Sequence, residues 1–219
     1  MQYLIIISIA VISYLIGSVN FSILLSRAVS GKDIRDSGSG NAGATNMLRT
    51  HGKKMAIITL VLDVLKGIVA ISLTSIIALL LFVGSRMYYD MLGYISGVCV
   101  ILGHNFPIYF GFKGGKGVAT SLGVVLTLDW KIGLAVVIVA IAIMAITKYV
   151  SLGSIIGGAL YIILETIHTT YTKFSNGDKL FFAVEIVCIV IMGGLLVVRH
   201  HANIGRLLKG TENKLSFNK

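Results

Sequence analysis

The chain has 219 residues, of which 56% are hydrophobic and 13% charged, with one proline and two cysteines. Soluble domains carry about 25% charged residues, and a mean hydropathy of +0.90 leaves too little polar surface to cover a water-soluble globule. The composition therefore excludes a disordered chain and a disulfide framework, and it favours a membrane protein. We expect a single membrane-embedded domain over residues 1–219, because spans of about 20 residues leave no room for a separate soluble domain.

The net charge of +10 comes from cations in short segments between apolar runs. A nucleic-acid-binding protein would instead carry its cations as a basic stripe on a soluble domain, so no nucleic acid is expected as a partner. The pattern favours anionic membrane lipid or a phosphorylated substrate. Cys99 and Cys188 lie inside apolar runs without partners at metal-ligand spacing, so the sequence predicts no metal site and no cofactor.

Seven apolar runs follow one another along the chain, and each predicts a helix. The first, Tyr3 to Ser26, lacks a basic start and a cleavage signal, so we expect a retained span. The others are Met55 to Val83, Tyr89 to Gly103, Gly117 to Leu128, Lys131 to Thr147, Ser154 to Thr170 and Leu180 to Val198. The fourth is short and predicts either a helix paired with the fifth or one re-entrant hairpin. The expected fold is an all-α polytopic membrane protein with about seven transmembrane helices.

Lysine and arginine are distributed unequally between the two ends of these spans. One end is predicted to hold Arg27, Lys32, Arg35, Arg49, Lys53, Lys54, Lys113, Lys116, Lys148, Arg199, Arg206, Lys209, Lys214 and Lys219, and the other Arg86, Lys131, Lys173 and Lys179. Cytoplasmic segments of membrane proteins are enriched in these residues. With an odd number of spans, we expect the N-terminus outside and the C-terminus in the cytoplasm. No repeat relates the two halves of the chain, which removes one pointer to a transporter.

Ionisable residues inside the apolar runs need partners, since charges are costly at membrane depth. Asp63 and Lys66 are three positions apart on one predicted helix face, so we expect an internal ion pair in preference to a proton relay. Glu165 with His168 has the same spacing, and Glu185 lies in the last run. These predict interhelical polar contacts in preference to an ion path.

Three polar segments are predicted to emerge at the cytoplasmic end, and the first covers residues 36–49. Its small residues allow backbone N–H groups to approach an anion, and Arg49 adds a bidentate cation. Ser39, Asn41, Thr45 and Asn46 supply further hydrogen-bonding groups. We interpret the segment as a phosphate-binding nest in preference to a flexible connector.

The second segment covers residues 104–120, begins with His104 and holds the only proline. Gly114, Gly115 and Gly117 alternate with Lys113 and Lys116 directly before an apolar helix. Backbone donors, a helix N-terminus and two ammonium groups together predict an anion site. The spacing is not that of a Walker A loop, so a nucleotide hydrolase is disfavoured. A basic loop resting on lipid would explain the lysines but not the glycines.

The third segment covers residues 199–212, directly after the last span. If the helix persists, His200, Asn203 and Arg206 share one face while His201 is rotated away by about 100°. The alternative is an ordinary basic segment beside the membrane. Ser151, in the turn before the sixth run, is predicted at the same end.

Together these segments closely resemble the membrane acyl-phosphate:glycerol-3-phosphate acyltransferases of bacterial phospholipid synthesis. The resemblance covers nearly the whole chain and rests on Ser39-Gly-Asn-Ala-Gly-Ala-Thr-Asn46 with Arg49, on Gly103-His with Phe106-Pro and Phe112-Lys-Gly-Gly-Lys-Gly-Val-Ala-Thr120, and on Arg199-His200 with Asn203-Ile, Arg206-Leu and Gly210-Thr-Glu212. Three motifs in the same order make a chance match improbable.

The resemblance implies a seven-helix enzyme of the bacterial cytoplasmic membrane with its site on the cytoplasmic face. It would transfer an acyl group from acyl phosphate, not acyl-CoA, to the 1-hydroxyl of sn-glycerol 3-phosphate, giving 1-acylglycerol 3-phosphate and phosphate. An enzyme that supplies acyl phosphate is implied as a partner. The implied catalytic residues are His200, Lys116 and Arg49. The expected substrate-binding residues are Ser39, Asn41, Thr45, Asn46, Arg49, His104, Lys113, Gly114, Gly115, Lys116, Gly117, Ser151, His200, Asn203, Arg206 and Glu212.

The residues themselves are compatible with this chemistry. Clustered cations offset the repulsion between two phosphorylated substrates, and an acyl phosphate already has a good leaving group. No nucleophilic Ser/His/Asp or Cys/His set is apparent, and the proton acceptor is left open between a substrate phosphate and His200. Two other classes compete: a transporter for a phosphorylated metabolite and a non-catalytic protein that binds anionic lipid.

Overall fold

The computed structural model describes residues 2–82, 85–174 and 179–215. Its helices are α1 (Gln2–Ser18), α2 (Phe21–Ser30), α3 (Ala44–Leu81), α4 (Arg86–Asn105), α5 (Val118–Leu128), α6 (Trp130–Thr147), α7 (Val150–Lys173), α8 (Lys179–Val198) and α9 (His201–Leu208). Two short 3₁₀ turns cover Ile34–Asp36 and Ile108–Phe110. The described residues form no strand, and the prediction of an all-α fold is confirmed.

Within the described residues, six helical segments are long and apolar enough to cross a membrane: Gln2–Ser30, Ala44–Leu81, Arg86–Phe110, Trp130–Thr147, Val150–Lys173 and Lys179–Val198. Helix α5 has 11 residues, which gives it a length of about 17 Å against a hydrocarbon core of about 30 Å. Seven complete spans and the side of each terminus therefore stay predictions.

The first apolar run differs from its prediction because it is divided into two helices. Helix α1 ends at Ser18, and Asn20 then caps α2 by accepting hydrogen bonds from the Ile23 amide at 3.2 Å and the Ser22 hydroxyl at 2.7 Å. An asparagine in extended conformation satisfies the open N–H groups of a new helix turn. A buried polar cap thus interrupts a sequence that reads as one continuous apolar span.

The second run starts earlier than predicted, at Ala44 and not at Met55. Its first turns carry polar residues of segment 36–49 and are separated from the apolar part by a kink at Gly52, where φ is +82°. This conformation is open to glycine and strained for other residues. Arg49 consequently lies on a short helical arm before the kink.

The last run ends at Val198 as predicted, but its helix does not continue into segment 199–212. His200 has φ −99° and ψ 11° and precedes the separate helix α9. The expectation of one persistent helix is therefore wrong. The turn instead closes with a hydrogen bond from the His200 amide to the Val197 carbonyl at 3.0 Å.

Glycines bring the helices around α4 into close contact. A Cβ on Gly103 of α4 would lie 2.2 Å from the Tyr14 carbonyl of α1, and one on Gly123 of α5 would lie 2.1 Å from the Val64 carbonyl of α3. Membrane helices associate largely through such close packing of small residues. The close approach puts α4 in the middle of the helices. In the apolar 18-residue stretch of each span, 72% of the residues are buried for Arg86–Phe110 but only 6% for Trp130–Thr147.

Ion pairs confirm the polar contacts predicted inside the spans. Lys66 lies 2.8 Å from Asp63, and Glu185 lies 2.8 Å from Lys173 on α7. Glu165 of α7 accepts a hydrogen bond of 2.5 Å from Tyr94 of α4. The two ion pairs neutralise Asp63 and Glu185 with the charges of Lys66 and Lys173, whereas Glu165 receives a hydrogen bond from Tyr94.

Candidate active site

The three polar segments converge at one end of the helices, around a cavity of about 830 Å³. We call this the site end, and the end that contains the loop between α5 and α6 the opposite end. Polar residues and two glycines line the mouth: Ser39, Asn41, Thr45, Asn46, Arg49, Lys53, His104, Gly114, Lys116, Gly117, Ser151, Arg199, His200, His201, Asn203, Arg206, Glu212 and Asn213. From the mouth, the cavity continues as an apolar groove between α5, α6, α7 and α8. The convergence of segments distant in sequence defines one site with a polar mouth and an apolar interior.

The first segment is held in place by Asn46, which is 1% exposed. Its carbonyl oxygen accepts from the Ser39 amide at 2.9 Å, and its amide nitrogen donates to the carbonyls of Ile34 and Ser37 at 3.1 and 2.9 Å. A primary amide has two N–H protons to donate, and both are used here. The structure thus gives Asn46 a loop-holding role, and its direct contact with substrate stays a prediction. Ser39 is exposed at the mouth.

The glycines of the second segment let its loop pack tightly against the protein. A Cβ on Gly114 would lie 2.0 Å from the His104 carbonyl, and one on Gly115 would lie 2.3 Å from the Ala42 carbonyl of the first segment. Their amides donate to the carbonyls of Asn105 and His104 at 3.1 and 3.2 Å. The expectation that both supply unused backbone donors is therefore corrected, because these N–H groups already hold the loop. Gly117 has φ +84° and starts α5 without a side-chain cap.

Two arginines, Arg35 and Arg199, hold the same loop through its backbone carbonyls. Neither was predicted as a site residue from the sequence. Arg199 donates to the Gly115 carbonyl at 2.9 Å, and its guanidinium carbon lies 5.1 Å from the Phe106 ring centroid. Arg35 donates to the carbonyl of Lys113 at 2.9 Å. In the sequence, each of them is simply a basic residue beside a polar motif. A bond to a backbone carbonyl cannot be predicted from the sequence, because every residue has that carbonyl.

Lys113 differs from Lys116 in its position. The Lys113 side chain is exposed and lies outside the residues that line the cavity, whereas Lys116 is partly buried within it. The alternating pattern of glycine and lysine predicted a shared anion site. The left-handed conformation at Phe112, with φ 59°, and the fixed carbonyl of Lys113 turn the loop so that only the second lysine enters the cavity.

His104 borders the mouth, and Lys66 and Asp63 contact its Nδ1 from the side away from the cavity's glycine loop. Lys66 lies 2.8 Å from Nδ1 of His104, and Asp63 lies 3.6 Å from the same nitrogen. An ammonium group paired with a carboxylate only donates, so Nδ1 accepts and the ring proton is on Nε2. His104 is 3% exposed, and its Nε2 side lies beside Gly115. The arrangement makes His104 a fixed hydrogen-bond donor at the glycine loop.

A network centred on Glu212 joins the third segment to α7. The Glu212 carboxylate accepts from Ser151 at 3.0 Å, from Asn203 at 2.6 Å and from Arg206 at 2.7 Å. Lys116 donates to the side-chain oxygen of Asn203. These bonds hold the pKa of Glu212 below its usual value against the opposing effect of burial. Glu212 therefore organises the binding groups around it in the structure, a positioning role that the motif did not indicate.

His200 is buried, with 2% of its surface exposed, whereas the neighbouring His201 is exposed. Nδ1 of His200 lies 2.7 Å from the Leu196 carbonyl, so it donates, and the lone pair of the neutral ring is on Nε2. Burial lowers the pKa of His200 to about 4. The imidazole is consequently neutral at pH 7 and presents an acceptor rather than a cation.

The mouth of the cavity carries an excess of positive charge. Burial lowers the pKa of Lys116 to about 8, and the nearby guanidinium groups of Arg206, Arg49 and Arg199 act in the same direction, against Glu212. Arg49 makes no ion pair within residues 2–82, 85–174 and 179–215. Cations held close together without matching carboxylates create a site that an anion stabilises.

The fold and this site define a polytopic membrane protein with a cavity at one end of its helices that has a cationic mouth and an apolar interior. The sequence profile of the glycerol-3-phosphate acyltransferase family matches residues 7–210. The chain belongs to this family, and to the kind of member typified by PlsY.

Curated relatives and solved structures agree with this assignment. Glycerol-3-phosphate acyltransferases from Thermoanaerobacter pseudethanolicus and Shouchella clausii are 40% and 44% identical, with alignments that cover 94% and 92% of this chain and 93% and 92% of theirs. This chain is similar to two crystal structures of PlsY (YgiH), an integral membrane glycerol 3-phosphate acyltransferase, one of the glycerol 3-phosphate form and one of the lysophosphatidic acid form. Their TM-scores are 0.78 and 0.73 at 32% and 31% identity, covering 96% and 97% of this chain and 96% of each of those chains.

Proposed function

We propose that this protein transfers a fatty acyl group from acyl phosphate to the 1-hydroxyl of sn-glycerol 3-phosphate. The products are 1-acyl-sn-glycerol 3-phosphate and inorganic phosphate, and the reaction is the first acylation of phospholipid synthesis. The observation that carries the proposal is the cationic mouth of a cavity whose interior is apolar. Membership of the family supports glycerol 3-phosphate as the acceptor.

The phosphate groups of both substrates are assigned to the cations at the mouth. Arg49, Lys116 and Arg206 line it together with the exposed hydroxyl of Ser39. Guanidinium groups bind phosphate oxygens in bidentate fashion, and an ammonium group serves as a point charge. Bringing two anions together requires this offset of their repulsion, so positioning is the main task of the site.

The acyl chain is assigned to the apolar part of the cavity. Its lining includes Val136, Val137, Ala140 and Met144 of α6, Gly157 and Gly158 of α7, and Met192, Gly193 and Leu196 of α8. The volume of about 830 Å³ is within the range of pockets that hold small-molecule ligands. An acyl chain in this groove would present its carbonyl carbon at the mouth, beside the phosphate-binding cations.

The transfer step needs no enzyme nucleophile. The 1-hydroxyl oxygen forms a bond to the acyl carbonyl carbon, the bond from that carbon to the phosphate oxygen breaks, and the electron pair leaves with phosphate. The hydroxyl proton passes to a phosphate oxygen, since a phosphate group with a pKa of about 6 is a stronger base than a histidine with a pKa of about 4. His200 then acts by accepting a hydrogen bond from the hydroxyl and orienting it.

The site end is proposed to face the cytoplasm in a bacterial cell membrane, with the N-terminus outside. This orientation follows from the excess of cations at the site end. It is tested by thiol labelling of intact cells with an impermeant reagent, using single-cysteine variants at Lys113 and Lys131, which are exposed at the two ends. Labelling at Lys131→Cys but not at Lys113→Cys is expected, and the reverse pattern would contradict the orientation.

The function is tested by incubating purified protein with radiolabelled glycerol 3-phosphate and either acyl phosphate or acyl-CoA. We expect labelled lipid with acyl phosphate only. A transporter would instead move labelled glycerol 3-phosphate into proteoliposomes without forming lipid, and a lipid-binding protein would show salt-dependent binding without turnover. Labelled lipid from acyl-CoA alone would overturn acyl phosphate as the proposed donor. It would also remove the reason to expect an enzyme that supplies acyl phosphate as a partner.

A further inference from the structure

A second polar cluster lies at the opposite end of the helices. Asp129, Glu165 and His168 each offer a ligand atom, and the three atoms lie within 4.8 Å of one another. The cluster borders a cavity of about 580 Å³ that is separate from the candidate active site. The sequence does not indicate this cluster, because Asp129 is distant in sequence from the other two residues and the fold brings them together.

One carboxylate oxygen in the cluster lacks a partner. Glu165 is 1% exposed, and its Oε2 makes no hydrogen bond within the described residues 2–82, 85–174 and 179–215. A buried carboxylate oxygen without a donor or cation is costly. The other oxygen, Oε1, accepts from Tyr94 at 2.5 Å, which fixes the orientation of the side chain. The structure therefore holds an oriented, buried acceptor ready for a ligand.

The charges around the cluster leave two carboxylates in excess. In the same cavity, Lys173 pairs with both Asp90 and Glu185 at 2.8 Å, and Arg86 lies 3.6 Å from Asp90. Those cations are therefore engaged by other acids. Among the residues that the structure describes, no lysine or arginine forms an ion pair with Asp129 or Glu165. Tyr94 donates to Glu165, and Nδ1 of His168 lies 3.2 Å from the Asp129 carboxylate. Two carboxylates and an imidazole form a ligand set that suits one divalent cation.

The local geometry is that of a metal site built on two helices. Glu165 and His168 are three positions apart on α7, so both side chains project from one face, as in helix-based carboxylate metal sites. Asp129 caps the N-terminus of α6 with Oδ1, through bonds to the amides of Lys131 and Ile132 at 2.9 and 3.1 Å, which leaves Oδ2 for a ligand. A separation of 3.2 Å between two ligand atoms suits bond lengths of about 2.1 Å to a shared ion.

We propose that Asp129, Glu165 and His168 bind one first-row divalent transition metal ion, with zinc as the best fit. An imidazole with two carboxylates favours zinc or its neighbours over magnesium and calcium, which prefer all-oxygen sites. The Tyr94 hydroxyl supplies the supporting hydrogen bond that such ligands commonly carry. Bound metal joins the start of α6 to the middle of α7 and stabilises the opposite end of the protein. The inference is independent of the proposed acyl transfer.

The test uses full-length protein purified through a tag without histidines and freed of metal with a chelator. Cobalt(II) is then titrated while its visible d–d absorption is recorded, and zinc is added to displace it. We expect about one cobalt ion per chain, displacement by zinc and a rise in the thermal unfolding temperature with either metal. Binding that stays unsaturated and weak, without a d–d band, would overturn the proposal.

Matched variants locate the site. His168→Ala changes a half-exposed side chain and is expected to weaken cobalt binding by at least about ten-fold, and Glu165→Gln should do the same. Asp90→Asn removes a carboxylate from the same cavity but outside the cluster, and it should leave the affinity unchanged. Equal losses in His168→Ala and Asp90→Asn would mean general charge attraction, and unchanged affinity in His168→Ala would place the metal elsewhere. Either result would contradict the assignment.

Discussion

The ammonium nitrogen of Lys66 lies 2.8 Å from Nδ1 of His104, although the two residues belong to different helices. The same ammonium is paired with Asp63 at 2.8 Å, and all three side chains are almost fully buried. A charge pair at this depth is retained only with full compensation. Here it also fixes which nitrogen of His104 carries the proton at the glycine loop.

We therefore expect Lys66 to act on turnover through His104 as well as on stability. Lys66→Met leaves Asp63 buried without a cation and should cost about 3–5 kcal/mol of unfolding free energy. The double variant Asp63→Asn/Lys66→Met removes both charges and should recover most of the thermal stability without recovering turnover. Thermal unfolding and turnover are measured on the same preparations. Recovery of turnover together with stability would show that the tautomer of His104 is not important.

Adjacent histidines provide the second prediction. His200 is buried at the cavity with a neutral ring, and His201 is exposed with Nδ1 beside the Val198 carbonyl at 3.1 Å. His200→Ala should lower kcat by about 10²-fold or more if its hydrogen bond acts in the transition state, whereas His201→Ala should leave kcat within a few-fold. Both are assayed at saturating substrates after a check of thermal unfolding. Loss of activity in His201→Ala alone would refute the assignment.

Lys116 should make substrate capture depend on pH. Its pKa of about 8 means that the side chain loses its charge as the pH rises through 8, and with it the attraction to phosphate. We expect kcat/KM for glycerol 3-phosphate to fall above pH 8. At the acidic side it should fall as the phosphate is protonated near its pKa of about 6.

Variants of Lys116 separate this effect from general alkaline instability. Lys116→Arg keeps its charge at all accessible pH values and should shift the alkaline fall upwards, while Lys116→Ala should lower turnover strongly at every pH. Lys131→Ala, at the opposite end, is the matched control and should behave as wild type. If kcat/KM of Lys116→Arg falls at the same alkaline pH as in the wild type, a group other than Lys116 causes the fall.

Transfer should proceed without magnesium. The mouth of the cavity carries Arg49, Lys116 and Arg206 around the Glu212 carboxylate, which is already bonded to three protein groups, and Asp63 deeper in the cavity is paired with Lys66. Magnesium sites at phosphates need carboxylate ligands of their own. Turnover is measured after chelator dialysis with and without added magnesium. A requirement that magnesium restores would contradict the account, whereas a loss reversed only by zinc would point to Asp129, Glu165 and His168.

Features that depend on local pattern were predictable from the sequence. The apolar runs located the helices, and the spacing of Asp63 and Lys66 predicted their ion pair, since neighbours on one helix face meet wherever that helix packs. The three polar segments were predicted to emerge at one end, and the structure brings all three to one cavity. Which of their residues contact substrate stays a prediction.

Features that depend on distant partners were not predictable. Asn46 reads as a ligand group, but its amide is used by carbonyls of its own loop. Arg199 was not predicted as a site residue, yet it holds the carbonyl of Gly115. The break before α9 depends on the turn at His200, which no proline or glycine marks. In each case the deciding contact joins segments whose relative position only the folded chain establishes.

The most direct test of the central claim is the stoichiometry of one reaction. Purified protein is given acyl phosphate and radiolabelled glycerol 3-phosphate, and labelled lysophosphatidate and inorganic phosphate are measured in the same time course. Direct transfer at a cationic site predicts one phosphate released for each lipid formed, with neither product when glycerol 3-phosphate is omitted and with both lowered together in Lys116→Ala. Phosphate release that continues without glycerol 3-phosphate, or lipid formed without phosphate, would contradict the account.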